Sequence, residues 1–171
     1  CFLQARLELP GVPTLDIRQQ CSGFVYGTVM ADQFIKSGMY KNILVIGVEL
    51  QSKGINKTTE GRDVAVLFGD GAGAMILSAT DSDESKVICS DLHSDGRFAK
   101  ELWIPMPGSA AGFKERLNKE IIDQGLHYPY MNGKVVFVHA IKKMNETVVQ
   151  SLEKAKMSKE DIACYLFHQP N

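Results

Sequence analysis

Two side chains near opposite ends of this sequence have the chemistry of a covalent catalyst. Cys21 follows Leu15-Asp16-Ile17-Arg18-Gln19-Gln20, where a short apolar run of strand type gives way to the helical spacing of Ser22-Gly23-Phe24-Val25-Tyr26. A thiol at a helix start lies under the positive end of the helix dipole, which favours the thiolate and lowers a cysteine pKa from about 8.5 into the range of roughly 3.5–7.5. That is a nucleophile's position. Far along the chain His168 follows a second apolar run, Cys164-Tyr165-Leu166-Phe167, at what reads as a strand end. Taken singly, each also has a structural reading: free cysteines are among the most buried residue types, and a core histidine is readily satisfied by a backbone carbonyl.

Other reactive residues are less informative. Cys1, Cys21, Cys89 and Cys164 are dispersed, with no close pair to form half of a zinc site and no disulfide framework, so reduced thiols are expected. His139 falls on an amphipathic helix and reads as structural, His93 falls in a Ser/Asp/Gly turn, and His127 has no supporting motif. The glycines from Gly69 to Gly73 match neither the dinucleotide fingerprint nor the P-loop. No nicotinamide, nucleoside triphosphate or metal site is indicated.

The 171 residues are 44% hydrophobic with a net charge of −1, enough for a sizeable core and without the basic cluster that nucleic acid or an acidic membrane surface demands. No run approaches the ~20 apolar residues of a membrane span, and Cys1-Phe2-Leu3-Gln4-Ala5-Arg6 lacks the order of a secretory signal. A cytoplasmic protein is expected.

The elements that must position Cys21 and His168 follow from periodicity. Leu15-Asp16-Ile17 reads as a strand end. Ser22 to Ser37 reads as a helix apolar around most of its circumference, hence buried, with Gly38 as its C-terminal cap. The β-branched run Ile43-Leu44-Val45-Ile46-Gly47-Val48 predicts a strand covered on both faces, completing a βαβ unit. Val64–Phe68 and Ala72–Leu77 predict two strands joined by a tight Gly69-Asp70-Gly71 turn, and Val87–Leu92 predicts another. A long loop from Pro105 to Gly133 carries one helical stretch around Lys114 to Gln124. From Lys134 to Lys156 the spacing Val138, Ile141, Met144, Val148, Leu152, Ala155 marks one face of a long helix, and Ser158 caps a short turn leading to the strand that delivers His168. The alternation is that of a layered α/β domain.

Three motifs, Gln20-Cys21-Ser22-Gly23-Phe24-Val25-Tyr26-Gly27, then Arg62 with Phe68-Gly69-Asp70-Gly71-Ala72-Gly73-Ala74, then His168-Gln169-Pro170-Asn171, stand in a distinctive order and spacing. Together they resemble the β-ketoacyl-acyl carrier protein synthase III family of the thiolase-like superfamily, over essentially the whole chain. The resemblance implies a thiolase-like layered α/β/α fold. Members of that family are about twice as long, so the chain is expected to be a partial fold lacking N-terminal and C-terminal segments. Residues 1–79 then end the N-terminal half, with the nucleophile, and residues 80–171 begin the C-terminal half, with the catalytic histidine.

The resemblance also implies the chemistry, a decarboxylating Claisen condensation of an acyl-CoA primer with malonyl-acyl carrier protein that initiates fatty acid synthesis. Cys21 carries the acyl group, and His168, with an asparagine supplied from beyond this chain, stabilises the enolate. Arg62 falls on the position contacting the adenine end of coenzyme A, Phe68 and Trp103 on the acyl pocket, and Gly133, Phe137 and Asn171 on the pantetheine tunnel. A bulky Trp103 indole there favours short primers. Arg62 as a solvated surface charge is the plainer alternative. The expected partners are acyl-CoA, malonyl-acyl carrier protein and a second copy in a homodimer, with no cofactor beyond the thioester substrate. Gln19-Gln20 in place of small residues and the longer 105–133 loop depart from the family pattern and leave the primer open. A related condensing or acyl-transfer enzyme, and a non-catalytic acyl-binding or oligomerisation piece inactive alone, remain the other readings.

Overall fold

Helix and strand alternate along the chain, in a computed structural model that describes residues 2–83, 85–108 and 116–169. It divides into two compact units, Cys1–Gly47 with Gly73–Asp83, and Val48–Ala72 with Glu84–Asn171. In chain order the elements are α1 (Phe2–Arg6), α2 (Gly23–Lys36), β1 (Asn42–Leu50), α3 (Arg62–Ala65), β2 (Asp70–Ser78), β3 (Leu102–Trp103), α4 (Lys119–Asp123), β4 (Tyr130–Met131) and α5 (Gly133–Ala155), with single 3-10 turns between them. β1 pairs with β2, and β3 with β4.

In the first unit α2 lies close against β1. A Cβ on Gly27 would come 3.2 Å from Val45 Cγ1, and one on Gly47 would come 3.1 Å from the Phe24 ring. Each glycine admits a large side chain of the other element, and Ala31 and Val45 are buried at the contact. The predicted glycine cap holds: Gly38 has φ +76°, and its N–H donates to the Ile35 carbonyl at 2.9 Å. Asp32, buried on α2, accepts from Lys36 Nζ at 2.7 Å and Gln33 Nε2 at 3.0 Å. The Ala79 N–H donates to the Lys41 carbonyl at 2.7 Å, so the start of β1 lies beside the end of β2.

Two expectations for this unit are corrected. Leu15-Asp16-Ile17 forms no strand, because a strand exists only where a neighbour takes up its N–H and C=O groups, and among the described residues β1 pairs with β2 instead. The βαβ unit is therefore a helix–strand pair, although Ile17 still reaches the Gly27 side of α2, with Cδ1 3.8 Å from where a Cβ would be. Burial is also one-sided. α2 buries only Gly27, Ala31 and Asp32 while Phe24 and Val25 are exposed, and β1 buries Val45 but exposes Leu44, Ile46 and Val48.

In the second unit the predicted strand Val64–Phe68 is instead the single helical turn α3, with the Val66 N–H donating to the Arg62 carbonyl at 3.2 Å and the Leu67 N–H to the Val64 carbonyl at 3.0 Å. Local bonds here override β-branched preference. Gly69-Asp70-Gly71 is consequently no hairpin turn. Asp70 opens β2, and its carboxylate accepts from Ser52 N at 2.7 Å and Ser52 Oγ at 2.6 Å, tying the segment after β1 to the start of β2. Those Ser52 bonds hold the Asp70 carboxyl below its ordinary pKa.

α5 matches the predicted long helix and ends on Lys156 in the left-handed conformation, φ 56°. Of its predicted apolar face Met144, Val148, Leu152 and Ala155 are half-buried, while Val138 and Ile141 are exposed. The predicted strand Val87–Leu92 is irregular. It docks through side chains, with Lys154 Nζ donating to the Ser90 carbonyl at 2.6 Å and to Asp91 at 2.7 Å, and Cys89 Sγ 3.5 Å from the Ser151 carbonyl. The predicted Ser158 cap is present as a capping box, with Asp161 accepting from Ser158 N at 2.8 Å and Oγ at 2.9 Å. Residues 164–169 form no strand, again for want of a ladder neighbour among the described residues.

The long 105–133 loop is more ordered than its composition suggests. Leu102 and Trp103 pair with Met131 and Tyr130, and Met106 N–H donates to the Leu126 carbonyl at 2.9 Å. The helical stretch predicted around Lys114 to Gln124 is seen as α4, capped by Asn118 accepting from Ile121 N at 2.9 Å, while residues 109–115 lie outside the described ones. Met106 and Ile121 are buried in this segment, Ile121 at 0% exposure.

Ile121→Ala is expected to destabilise the protein by about 2–5 kcal/mol, the range for emptying a fully buried aliphatic site. Chemical denaturation of the full-length protein checks this; a loss under about 1 kcal/mol would show that the loop core carries little stability. Asp95, which bonds the Arg97 side chain and caps the Gly96–Phe98 turn, is held down to about 2. A depressed carboxyl stabilises above its unfolded pKa, so its contribution is fully present above about pH 3.9 and is lost as pH falls through about 2. The Asp95 carboxyl resonance in an NMR titration reports this, and a midpoint near 3.9 would refute it.

Candidate functional site

Cys21 sits in the 3-10 turn Gln20–Ser22 that runs directly into α2 at Gly23. Gln20 has φ +45°, a left-handed conformation that for a residue with a side chain costs roughly 1–2 kcal/mol. That turn bends the chain sharply before the helix and leaves the Cys21 thiol exposed at its apex. Ser22 Oγ donates back to the Gln19 carbonyl at 3.1 Å and makes no side-chain cap on α2. The Gly23 N–H, the first amide of α2, donates to the Gln20 carbonyl and closes the turn.

The other candidates belong to the second unit. His168 is exposed at the end of the irregular 164–169 segment, just after the Tyr165 and Phe167 rings, whose planes lie 6° apart with centroids at 6.1 Å. Arg62 opens α3 with its guanidinium exposed and only a 3.9 Å approach to Asp63. Its position is set by the preceding glycine: a Cβ on Gly61 would collide with the Asn56 carbonyl and side chain. Phe68 is half-buried between α3 and β2. Gly133 and Phe137 are exposed in the first turns of α5. Trp103 is half-buried on β3 opposite Tyr130, with Lys100 Nζ 5.6 Å above its ring. Asn171 lies outside the described residues.

Within the second unit the structure brings Trp103 together with Tyr130, Tyr128 and Pro105 around a concavity of about 440 Å³. Sequence reasoning named Trp103 alone of these. The aromatic and proline density of Leu126-His127-Tyr128-Pro129-Tyr130 is the signal in the sequence for the others, and it lies in a loop without periodicity. The left-handed Gln20 also carried no sequence signal. His139 packs its ring on Phe98 at 4.0 Å, as a structural histidine does, and His127 stacks on Tyr128 at 4.0 Å with Nδ1 buried and unpartnered. Among the described residues no group of three or more His, Cys, Asp or Glu is placed to hold a metal ion, and no helix is long and apolar enough to cross a membrane.

Comparison with known proteins gives the following similarities. Residues 15–96 match the family model of 3-oxoacyl-(acyl-carrier-protein) synthase III. The chain is 39% identical over its full length to the β-ketoacyl-(acyl-carrier-protein) synthase III of Caldanaerobacter subterraneus subsp. tengcongensis, covering 50% of that protein, and 39% identical to that of Clostridioides difficile with the same coverage. The crystal structure of the 3-oxoacyl-(acyl-carrier-protein) synthase III from Aquifex aeolicus VF5 superposes with a TM-score of 0.77 at 33% identity, over 95% of this chain and 46% of that one. The chain spans about half the length of the curated relatives it matches.

Exposure orders the thiols. Alkylation of the native full-length protein is expected to modify Cys21 and Cys164 at least ~10-fold faster than Cys89, which is half-buried against α5, with the difference abolished on unfolding. Peptide mapping by mass spectrometry reads the rates, and equal native reactivity of Cys89 would contradict the placement.

Proposed function

The chain belongs to the 3-oxoacyl-(acyl-carrier-protein) synthase III family and has part of its thiolase-like α/β fold, and from that premise we propose that the protein is an acyltransferase initiating fatty acid synthesis. It condenses an acyl-CoA primer with malonyl-acyl carrier protein in ping-pong order. The observation that carries this reading is Cys21 itself, exposed in a turn led in by the left-handed Gln20 just before α2, in a chain 39% identical over its full length to a relative named β-ketoacyl-(acyl-carrier-protein) synthase III.

In the first half-reaction the Cys21 sulfur attacks the thioester carbonyl, the new S–C bond forms, and the bond to coenzyme A sulfur breaks as coenzyme A leaves with a proton. The backbone N–H of Cys21, at the turn leading into α2, is the candidate donor to the tetrahedral oxyanion. In the second, malonyl-acyl carrier protein loses carbon dioxide. The enolate so formed attacks the acyl carbon on Cys21, the carbon–carbon bond forms, and the thiolate departs. His168 donates a hydrogen bond to the enolate oxygen.

The remaining residues bind. Arg62 takes the adenine end of coenzyme A, Phe68 and Trp103 line the acyl pocket, and Gly133, Phe137 and Asn171 border the pantetheine arm. No cofactor other than the thioester is required. A homodimer in the cytoplasm, with residues 1–79 in the N-terminal half and 80–171 in the C-terminal half, completes the reading.

Intact-mass measurement of the full-length protein incubated with acyl-CoA donors tests it. A mass increase of one acyl group mapping to Cys21, and lost in Cys21→Ala, is expected. In His168→Ala the acyl-enzyme should still form while condensation falls about 10²–10³-fold, the cost of one lost oxyanion donor. Acylation elsewhere, or none with any donor, would refute the assignment.

A further inference from the structure

We propose that Ser22 is a positioning residue for Cys21: its hydroxyl clasps the Gln19 carbonyl and so holds the strained Gln20 backbone that presents the thiol and the Cys21 N–H. This rests on the reading of Cys21 as nucleophile and deepens it by naming what sets its geometry. All the residues involved belong to the first compact unit.

The chain arrives alongside the helix it is about to enter. Ile17 Cδ1 lies 3.8 Å from where a Gly27 Cβ would be, in the second turn of α2, while α2 itself begins at Gly23. The reversal therefore falls on Arg18 to Ser22. α2 cannot shift to ease that bend, because Val45 Cγ1 lies 3.2 Å from the Gly27 Cβ position and the Phe24 ring 3.1 Å from that of Gly47. The strain collects at Gln20, whose φ is +45°, after Gln19 at φ −139° and ψ 25°. Left-handed backbone is disfavoured roughly 5- to 30-fold for a residue with a side chain.

Two hydrogen bonds hold it there, one on each peptide flanking Gln20. Gly23 N–H donates to the Gln20 carbonyl, and Ser22 Oγ donates to the Gln19 carbonyl at 3.1 Å. A peptide is a rigid plane, so returning Gln20 to negative φ means rotating the Gln19–Gln20 plane through ψ of Gln19 and φ of Gln20 together. That rotation swings the Gln19 carbonyl away from Ser22. The second plane carries the chemistry: with its carbonyl held toward Gly23, its N–H, that of Cys21, points the opposite way, out of the turn. Ser22 makes no side-chain cap bond to α2, so its hydroxyl serves the turn rather than the helix. The Gln20 side chain is exposed, and a glycine in its place would keep the turn while losing the strain.

Two readouts on Cys21 in the full-length protein test this. One is single-turnover acylation by acetyl-CoA or octanoyl-CoA, whichever the unmodified protein takes faster, followed by intact mass. The other is alkylation by iodoacetamide, which needs only an exposed thiol. Ser22→Ala should slow acylation at least ~5-fold, because the competent turn becomes the minor population, while alkylation stays within about 2-fold. Adding Gln20→Gly to Ser22→Ala should recover most of the lost rate, since glycine adopts left-handed backbone without penalty. General loosening of the fold would move alkylation as well, so the split between the two readouts isolates positioning. A loss under ~5-fold in Ser22→Ala, a loss that Gln20→Gly does not recover, or alkylation changing in step with acylation would each overturn the proposal while leaving Cys21 as nucleophile. No acylation of the unmodified protein by either donor would overturn both.

Discussion

The mutual approach of α2 and β1 is the constraint on which the candidate nucleophile depends. Gly27 opens the helix to Val45 and Gly47 opens the strand to Phe24, so the two elements interlock at two places along their length. A helix held at two such points can neither roll nor slide without driving a side chain into backbone. Its first residue is thereby fixed, and with it the turn that carries Cys21. The left-handed Gln20 stands against that fixed end: the strain of its φ is sustained by the packing that follows it rather than relieved by local relaxation.

Helices were the most legible part of the sequence, alongside two strands, Ile43–Val48 within β1 and Ala72–Leu77 within β2, and the reason is physical. A helix closes its hydrogen bonds within itself, so the period of α2 and α5, the glycine after α2 and the Ser158–Asp161 box could be read from neighbouring residues alone. A strand depends on a partner elsewhere. Val87–Leu92 and Cys164–Phe167 have the composition of strands yet lack ladders among the described residues, and Val64–Phe68 yields to a helical turn led in by Gly61. The candidate site divides along the same line. Cys21 was legible because its motif is local, whereas the Trp103 concavity joins residues separated by the whole α4 excursion and depends on a register that periodicity does not encode.

The polar side chains show a parallel economy. Asp70 and Asp91 each tie two separate segments, Asp161 closes a local capping box, and each lies below its ordinary pKa first because of a hydrogen bond, to Ser52, Lys154 and the Ser158 backbone respectively. Hydrogen bonding to the ionised form both lowers the pKa and fixes the loop. These carboxylates are committed to structure. The irregular 87–92 segment is pinned to α5 in this way, through Lys154 and Ser151.

Arg62 shows how the loop before it sets the place of a cation. The Gly61 backbone lies so close to Asn56 that no side chain fits between them, and Thr58 folds back to donate to Asn56 Oδ1 at 2.8 Å. The loop therefore delivers Arg62 to the start of α3 in one orientation. Once there, its guanidinium is exposed and its approach to Asp63 is too long for a fork-like hydrogen bond. An exposed pair at that distance is worth little. Lys154, by contrast, is engaged within the structure, held at 2.7 Å by Asp91.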